Sequence, residues 1–328
     1  MHVRELIIVG YGISVRARRG LLMIRGGKGE KTEVSPSDLE TVVVATGGAS
    51  ISSSAVRLLI NHGVDLVFLD SRGRPIGRLY PPFINRTVMT RRQQYEAYFG
   101  EKRWVIVGAI VEAKIRNQAN LLKYYAKSRE MDELKEASYE VLLSLKKLPG
   151  ALGDPARVLS VEAEASRAYW SGIRLLLPSD VEFDGRDPEA LDSVNISINY
   201  LNALLYSSCW KALVLAGLDP YAGFLHADRS GKESLVYDYS DMFKPPAVDR
   251  LVVKLFSEGW RPEIVNGLLT AKSRGFLVQS FFKWMERRVR PYSESTCSLA
   301  QAVKRWAFKL ASFLRGNVKN YRGFVEPW

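Results

Sequence analysis

The first eighty residues contain short apolar runs separated by glycine, serine or proline. The runs RELIIVGYG, LLMIRG, TVVVATGG and VDLVFLD are rich in valine, isoleucine and leucine, as β-strands are. In SVRARRG, polar and apolar residues alternate from Val15 to Arg18, which favours a half-exposed strand. The segment SISSSAVRLLINHG predicts a short helix that is capped by Ser53 or Ser54 and ends at Gly63. The pattern predicts a β-rich region that ends near the two prolines at 81–82.

Beyond residue 90 the apolar positions recur every three or four residues, which is the spacing of helices. Helices are predicted at about 91–99, 104–127, 157–175, 193–215 and 298–314, with a further helix through YEVLLSLKKL that ends at Pro149. The predicted fold class is α+β, with a small β-rich domain followed by a larger, mostly α-helical domain. The predicted domains are residues 1–88 and 89–328.

Composition and charge indicate the environment and the kind of partner. The 328 residues include only two cysteines, which favours a reducing compartment, and we expect a cytoplasmic protein. The amino terminus resembles no signal peptide, and no apolar run is long enough to span a membrane. Lysine and arginine total 47 against 35 acidic residues, a net charge of +12. Such an excess favours a polyanionic partner, because neutralised phosphates release counterions.

Several familiar catalytic motifs are absent from the sequence. It contains no GxxxxGK[ST] phosphate-binding loop, no GxGxxG that opens a helix and no GxSxG nucleophile motif. The absence of these motifs argues against nucleotide hydrolysis, dinucleotide redox chemistry and esterase chemistry. The presence of only three histidines in the chain also argues against a histidine-rich zinc site.

Two segments carry candidate chemistry. His226 ends the run GLDPYAGFLH, and the following LVYDYSDMF contains Asp238 and Asp241, which share one face if the segment is helical. Acidic residues in a first helical turn also complement the helix dipole, so the pair has a purely structural explanation as well. Upstream, VEAEASRAYW places Glu162 and Tyr169 along one helical stripe and turns Glu164 about 200° away.

These segments together resemble the CRISPR-associated integrase family known as Cas one. The order GLDPYAGFLH, LVYDYSDMF and, upstream, VEAEASRAYW is that of the family. TVVVATGGASISSSAVRLLINHGVDLVFLDSRGRPIGRL resembles its N-terminal β domain, and RRQQYEAY, AKIRNQANLL and SVNISINYLNALLY resemble helices of its catalytic domain. The similarity covers residues 41–250, and the block from GLDP to the DxxD motif is its most specific part.

The resemblance implies a metal centre. It assigns Glu162, His226 and Asp241 as the catalytic metal ligands, with Asp238 and Tyr169 in supporting positions. Two carboxylates and one imidazole suit Mn²⁺ or Mg²⁺, and such a metal stabilises charge on a phosphodiester under attack. The chain has Ala163 and Ser166 where the family usually has glycine and alanine, and both keep a small side chain.

The resemblance also implies an activity and partners. The expected activity is that of a metal-dependent DNA endonuclease and integrase of CRISPR spacer acquisition, which joins the 3′-hydroxyl ends of short foreign DNA into the repeat array. The expected partners are double-stranded DNA with single-stranded ends, a second copy bound through the β domain, and the small protein Cas two. Basic residues near the site are predicted DNA contacts. They are Arg167, Lys211, Lys244, Arg250, Arg287 and Arg288.

Two other functions fit the same sequence features. A family member with a decayed metal site would be a catalytically weak nucleic-acid-binding scaffold, although the three predicted ligands are intact in the sequence. An RNA-binding or RNA-cleaving enzyme would have the same excess of positive charge. Salt-dependent binding to DNA and RNA of matched length distinguishes these possibilities.

Overall fold

The N-terminal part of the computed structural model is built mainly from strands. The structure describes residues 5–27, 29–79, 87–226, 231–292 and 294–327. The strands are β1 (Glu5–Ile8), β2 (Ile13–Arg18), β3 (Leu21–Arg25), β4 (Lys31–Val34), β5 (Thr41–Val44), β6 (Ala49–Ile51), β7 (Asp65–Leu69) and β8 (Pro75–Leu79), with helix α1 at Ser53–Asn61 and a 3₁₀ turn at Pro36–Asp38.

These strands form two four-stranded sheets. In the order β1-β5-β7-β8 the first three strands are parallel, and β8 pairs antiparallel with β7. In the order β4-β3-β2-β6 only the pair β2–β6 is parallel. The core contains the buried side chains of Val15, Leu22, Val44, Leu59 and Leu66. The apolar runs of the sequence therefore supply a shared core for both sheets and α1.

Helix α1 begins one or two residues earlier than the sequence predicts. The predicted caps Ser53 and Ser54 are already helical, and the side chain of Ser52 accepts the hydrogen bond from the N–H of Ala55. Ser52 is the cap because its own backbone is extended, as an N-cap requires. Gly63 has φ +70°, so the predicted left-handed residue after the helix is confirmed.

Most of the later residues are helical. The helices are α2 (Thr87–Tyr98), α3 (Glu101–Arg129), α4 (Asp132–Ser144), α5 (Leu148–Ala151), α6 (Pro155–Leu176), α7 (Ser193–Leu215), α8 (Ser234–Asp241), α9 (Arg250–Ser257), α10 (Ala271–Met285) and α11 (Leu299–Leu314), with a 3₁₀ turn at Leu145–Lys147 and a π-helical segment at Pro245–Asp249. Two short hairpins pair β9 (Ile264–Val265) with β10 (Leu268–Leu269) and β11 (Arg288–Val289) with β12 (Cys297–Ser298). The predicted α+β fold class is confirmed.

The long helix α3 organises the part of the fold that carries the candidate site. It packs against α4, α6 and α8. Helix α6 starts where Asp154 caps the N–H groups of Ala156 and Arg157, with Pro155 at the first helical position. Farther along, a Cβ at Gly172 would lie 2.8 Å from a methyl group of Leu122. Glycine therefore permits the close packing of α6 on α3.

One predicted helix end is wrong. Pro149 lies inside the one-turn helix α5 and does not end the preceding helix, because α4 already ends at Ser144. The intervening residues continue as a 3₁₀ turn, so the chain stays helical up to proline. A proline near the start of a helix costs no hydrogen bond, because the first N–H groups lack partners within the helix.

The described chain divides into two compact units. The first combines Met1–Phe83, Asn199–Leu204 and Pro262–Phe282, and the second contains the remainder. Within the first unit, the ring of Tyr200 lies against Gly73 and Arg274 donates to the carbonyl of Ser71. The division at residues 88 and 89 stays a prediction, since residues 80–86 lie outside the described ones. Across the described ranges, no helix combines the length and apolar character needed to cross a membrane.

Candidate active site

The two aspartates of the DxxD motif lie in the C-terminal half of α8. Asp241 is the last residue of the helix, and Asp238 precedes it by three positions. The explanation of the pair as acids of a first helical turn is therefore wrong, because the dipole disfavours negative charge at this end. Both residues are almost completely buried, with exposures of 2% for Asp238 and 3% for Asp241. Other groups must stabilise them.

Asp238 is held by the loop that precedes α8. Its carboxylate accepts hydrogen bonds from the N–H groups of Phe224 (2.6 Å), Leu225 (3.0 Å) and His226 (3.0 Å). Nδ1 of His226 donates to the same carboxylate at 2.6 Å. A Cβ at Gly223 would lie 3.0 Å from Oδ2 of Asp238, so glycine lets the loop approach closely. With Nδ1 bonded in this way, Nε2 is the ring nitrogen that remains to bind a metal.

Glu162 and Asp241 share a lysine that comes from α3. Nζ of Lys114 lies 2.5 Å from Oε1 of Glu162 and 3.2 Å from Oδ2 of Asp241. A second ammonium, that of Lys244, lies 2.5 Å from Oδ1 of Asp241. The first turn after α8 thus brings Lys244 back to the carboxylate, while α3 and α6 bring Lys114 and Glu162 together. Two buried carboxylates and two ammonium groups form one charged cluster.

The protonation behaviour of the cluster follows from burial and charge. Burial raises the pKa of Glu162, and the opposing attraction of Lys114 does not cancel that rise. Burial acts in the same direction on Asp241, but Lys114 and Lys244 outweigh it and hold the pKa of this carboxyl below its usual range. Burial disfavours the ammonium form of both lysines, yet the attraction of Asp241 raises the pKa of each above its ordinary value. Both lysines are therefore cations at neutral pH.

His226 lies within the field of the same carboxylates. Burial lowers the pKa of its imidazole, but the hydrogen bond and the charge of Asp238 raise it, and the charges of Asp241 and Glu162 add to the rise. The net direction is upward. His226 is therefore close enough to sense both predicted carboxylate ligands, although its hydrogen bond goes to Asp238.

Tyr169, which is predicted in a supporting position, bonds to the carboxylate of Asp249. Its hydroxyl donates to Oδ2 of Asp249 at 2.8 Å, and both residues are buried. Burial raises the pKa of Asp249 to about 7, against the opposing effects of the Tyr169 hydrogen bond and of Arg186. The bond joins α6 to the π-helical segment that follows Lys244. Tyr169 thereby ties the helix that carries Glu162 to the segment that directly follows Lys244.

The C-terminal residues support α8 from the side of α3. Asn117 of α3 donates to the carbonyl oxygens of Met242 (2.7 Å) and Phe324 (2.8 Å), and its own oxygen accepts from the N–H of Glu326 (2.9 Å). The ring of Phe324 stacks on Phe243, with 4.8 Å between the ring centroids. Residues that flank Asp241 are thus fixed both to α3 and to the end of the chain.

The donor set fits a divalent cation only in part. Within the described ranges, no three histidine, cysteine or acidic side chains are close enough to form a ready-made metal cluster. Glu162 and Asp241 nevertheless converge on one cation, the ammonium of Lys114, which neutralises them in this structure. Their oxygens and Nε2 of His226 are ligands that Mn²⁺ and Mg²⁺ accept.

Comparison with known proteins places this arrangement in a family. Residues 6–274 match the family model described as CRISPR associated protein Cas1. The chain belongs to the Cas1 family. CRISPR-associated endonuclease Cas1 2 of Saccharolobus solfataricus is 40% identical, with 98% of each chain covered.

Two solved structures share the fold. A casposase bound to its integration product has a TM-score of 0.86 and 23% identity, covering 98% of this chain and 93% of that one. A Cas6-RT-Cas1–Cas2 complex has a TM-score of 0.75 and 18% identity, covering 100% of this chain and 36% of that one. These similarities agree with the resemblance that the sequence motifs suggest.

The predicted DNA-contacting residues have different surroundings. Arg167 and Arg288 are exposed, and Lys211 is half-buried. Lys244 is bonded to Asp241, as described above. The guanidinium of Arg250 lies 4.3 Å from the ring centroid of Tyr124.

Arg287 forms an ion pair with the buried carboxylate of Glu326. Its guanidinium neutralises a carboxylate that burial would otherwise destabilise, and its DNA contact stays a prediction.

Lys114 is the site residue that the sequence reading missed. It lies on the buried stripe of α3 with Ile110, Asn117 and Leu121, at spacings of three and four residues. A lysine within such an apolar stripe is a detectable signal, since lysine is rarely buried without a partner. The motif AKIRNQANLL contains the residue, but the resemblance gave it no role.

Proposed function

We propose that this protein is a metal-dependent DNA endonuclease and integrase of CRISPR spacer acquisition, which joins the 3′-hydroxyl ends of short DNA into the repeat array. The observation that carries the proposal is the convergence of buried Glu162 and Asp241 on one cation. Close by, His226 is oriented by Asp238. A buried acid at a helix C-terminus, as Asp241 is, would weaken the fold without a compensating role, and cation binding supplies one.

The names of related proteins support the same activity. The Saccharolobus solfataricus relative is named an endonuclease, and the casposase of similar fold is bound to an integration product. The fold also occurs in a complex that contains Cas2. We therefore extend the proposal to a Cas2-type partner, a homodimer formed through the β-rich unit, and double-stranded DNA with single-stranded ends as the substrate.

Glu162, Asp241 and His226 would hold Mn²⁺ or Mg²⁺. When bound, the metal would polarise a phosphodiester oxygen and stabilise the charge that builds at phosphorus. Asp238 fixes the imidazole through Nδ1, so that Nε2 faces away from this carboxylate. Lys244 brings a positive charge to Asp241, beside the place of the reaction. In strand transfer, a 3′-oxygen bonds to phosphorus as the 3′-oxygen of the repeat strand leaves, whereas attack by water gives cleavage.

The test is strand transfer of a short labelled duplex into a supercoiled plasmid that carries a CRISPR repeat. The reactions contain Mn²⁺ or EDTA, with and without the small partner. The variants are Glu162→Ala and Asp241→Ala, and Glu164→Ala is the matched control because Glu164 is exposed on the same helix. We expect metal-dependent joining by the wild type and the control, and its loss in both site variants with the fold intact.

Other outcomes identify the alternative functions. A wild type that binds the duplex but neither joins nor cleaves it would be a nucleic-acid-binding scaffold. The lysine between the predicted ligands is the observation that favours this alternative. Preferential binding or cleavage of a matched RNA would indicate an RNA-directed protein, and either result would overturn the proposal.

A further inference from the structure

The charges of the Glu162–Asp241 cluster cancel before any metal binds. Glu162 and Asp241 contribute two negative charges, and Lys114 and Lys244 contribute two positive charges. The side chains of Lys114 and Asp241 are 16% and 4% exposed, so water screens their interaction weakly. A protein site that needs only two carboxylates for a divalent cation has no electrostatic use for two lysines whose side chains are only 16% and 24% exposed. Their presence indicates a further negative group.

We infer that Lys114 makes the binding of the divalent cation at this site depend on a DNA phosphate. A divalent cation added to the balanced cluster leaves two excess positive charges. Asp238 offsets at most one of them, because its own charge is spread over three backbone N–H groups and His226. The remaining positive charge is the one that a phosphodiester neutralises. Cation and phosphate therefore recruit each other. This inference rests on the proposed metal site.

Lys114 is the coupling residue because of its position. It contacts both carboxylates, whereas Lys244 contacts only Asp241 of the two and lies beside the ring of Tyr206, 5.3 Å from its centroid. A divalent cation held by Glu162 and Asp241 would have to displace the Lys114 ammonium from these carboxylates. The displaced ammonium remains tethered to α3 and is available to a phosphate at the same place. Lys114 thus opposes the metal without DNA and binds the substrate with it.

The coupling has a measurable consequence in both directions. If DNA raises the affinity for the cation by some factor, the cation must raise the affinity for DNA by the same factor. Coupling between binding sites is commonly about 5- to 150-fold. We expect a short duplex with single-stranded, 3′-dideoxy ends to tighten Mn²⁺ binding to the wild type at least about tenfold. The dideoxy ends prevent strand transfer during the measurement.

The experiment measures free Mn²⁺ by electron paramagnetic resonance during titration of the full chain, with and without that duplex, after subtraction of Mn²⁺ bound by the duplex alone. Without DNA, Lys114→Met should bind Mn²⁺ about tenfold more tightly than the wild type does. Addition of DNA should tighten Mn²⁺ binding to this variant by less than about threefold. Lys114→Gln is a second neutral variant in case the first does not fold. Lys114→Arg keeps the charge and should keep the coupling.

The controls separate this inference from the proposed function. Lys147→Met removes an exposed lysine that pairs with Glu164, and should leave Mn²⁺ affinity and coupling unchanged. Loss of Mn²⁺ binding in Glu162→Gln supports the metal site, and retention of binding overturns the proposed site itself. If Glu162→Gln loses binding but the wild type shows no effect of DNA, or Lys114→Met behaves as the wild type, the coupling by Lys114 is wrong and the metal site stands.

Discussion

Glu162 and Glu164 lie two residues apart on α6, and each is bonded to a lysine. Glu162 faces α3 and pairs with Lys114, and the side chains are 8% and 16% exposed. Glu164 faces away and pairs with Lys147 at 2.6 Å, with exposures of 43% and 59%. The same chemical pair thus occurs on both sides of one helix, and the difference between the two lies in burial and in the neighbouring Asp241.

The comparison shows why an ion pair has to be judged by its surroundings. The exposed pair is screened by water and contributes about 0–1 kcal/mol to stability. The buried pair costs desolvation of both charges, so it is weak evidence of a stabilising role. A second carboxylate, that of Asp241, shares the buried lysine and raises the negative charge there. The buried side of α6 is therefore the side on which the proposed metal site would account for the charge.

The largest expected difference between the two sides concerns activity. Glu162→Gln keeps the size of the side chain and removes its charge, and we expect the rate of strand transfer to fall at least about a thousandfold, since loss of metal stabilisation is worth several kcal/mol. Glu164→Gln should stay within about twofold of the wild type. Initial rates of strand transfer at saturating Mn²⁺ measure the effect of both substitutions. Equal loss in the two variants would contradict the assignment of function to one side.

The next difference concerns stability without metal. Lys114→Met leaves two buried carboxylates with Lys244 alone, and breaking a buried pair costs about 3–5 kcal/mol. Lys147→Met should cost no more than about 1 kcal/mol. Urea unfolding in EDTA gives the two free energies of unfolding. Addition of Mn²⁺ should restore much of the loss in Lys114→Met, because the metal neutralises the same carboxylates. A loss of similar size in both variants would show that the burial of Lys114 has no energetic consequence.

A third difference concerns two aspartates in the region of the site. Asp241 has two lysine partners and a lowered pKa, whereas Asp249 is bonded to Tyr169 and has a pKa raised to about 7. A raised carboxyl pKa gives stability that is fully present below the unfolded value of 3.8 and is lost as pH rises through about 7. Asp249→Asn should therefore gain stability relative to the wild type by on the order of 3 kcal/mol between pH 4.5 and pH 7.5.

Urea unfolding of Asp249→Asn and the wild type across this range measures the change. Asp241→Asn is the comparison, since the contribution of a lowered carboxyl pKa is present above the unfolded value and is lost as pH falls. The difference in free energy of unfolding between Asp241→Asn and the wild type should change mainly below about pH 4. If Asp249→Asn and the wild type differ in free energy of unfolding by the same amount at all pH values, the carboxyl of Asp249 has an ordinary pKa.

The sequence predicted the residues of the site better than their contacts. Glu162, His226, Asp238 and Asp241 were selected because a resemblance preserves residue types in order, and their roles stay predictions. The role of Asp238 as an acceptor of three backbone N–H groups depends on the path of residues 224–226, which no local pattern specifies. The position of Lys114 between two carboxylates depends on the packing of α3 against α6 and α8, elements that are distant in sequence.

In the fold, too, elements with a regular local pattern were predicted and elements that depend on distant neighbours were missed. Long helices with regular apolar spacing, such as α7 and α11, were predicted nearly to the residue. The strands β4 (KTEV) and β6 (ASI) were missed, because they are short and largely polar or small and form through pairing with β3 and β2. Strand preference depends on neighbours in the sheet more than on the segment itself.

The smallest expected difference concerns two adjacent arginines, Arg287 and Arg288, which the sequence could not distinguish as DNA contacts. Arg288 is exposed, so Arg288→Ala should weaken DNA binding about two- to fivefold for all sequences and reduce the salt dependence by about one phosphate contact. Arg287→Ala should instead lower the free energy of unfolding, because it leaves the buried carboxylate of Glu326 without its cation. Fluorescence anisotropy at several salt concentrations, with urea unfolding alongside, measures both effects. If Arg287→Ala changed the salt dependence and left stability intact, its guanidinium would have to exchange Glu326 for a phosphate when DNA binds.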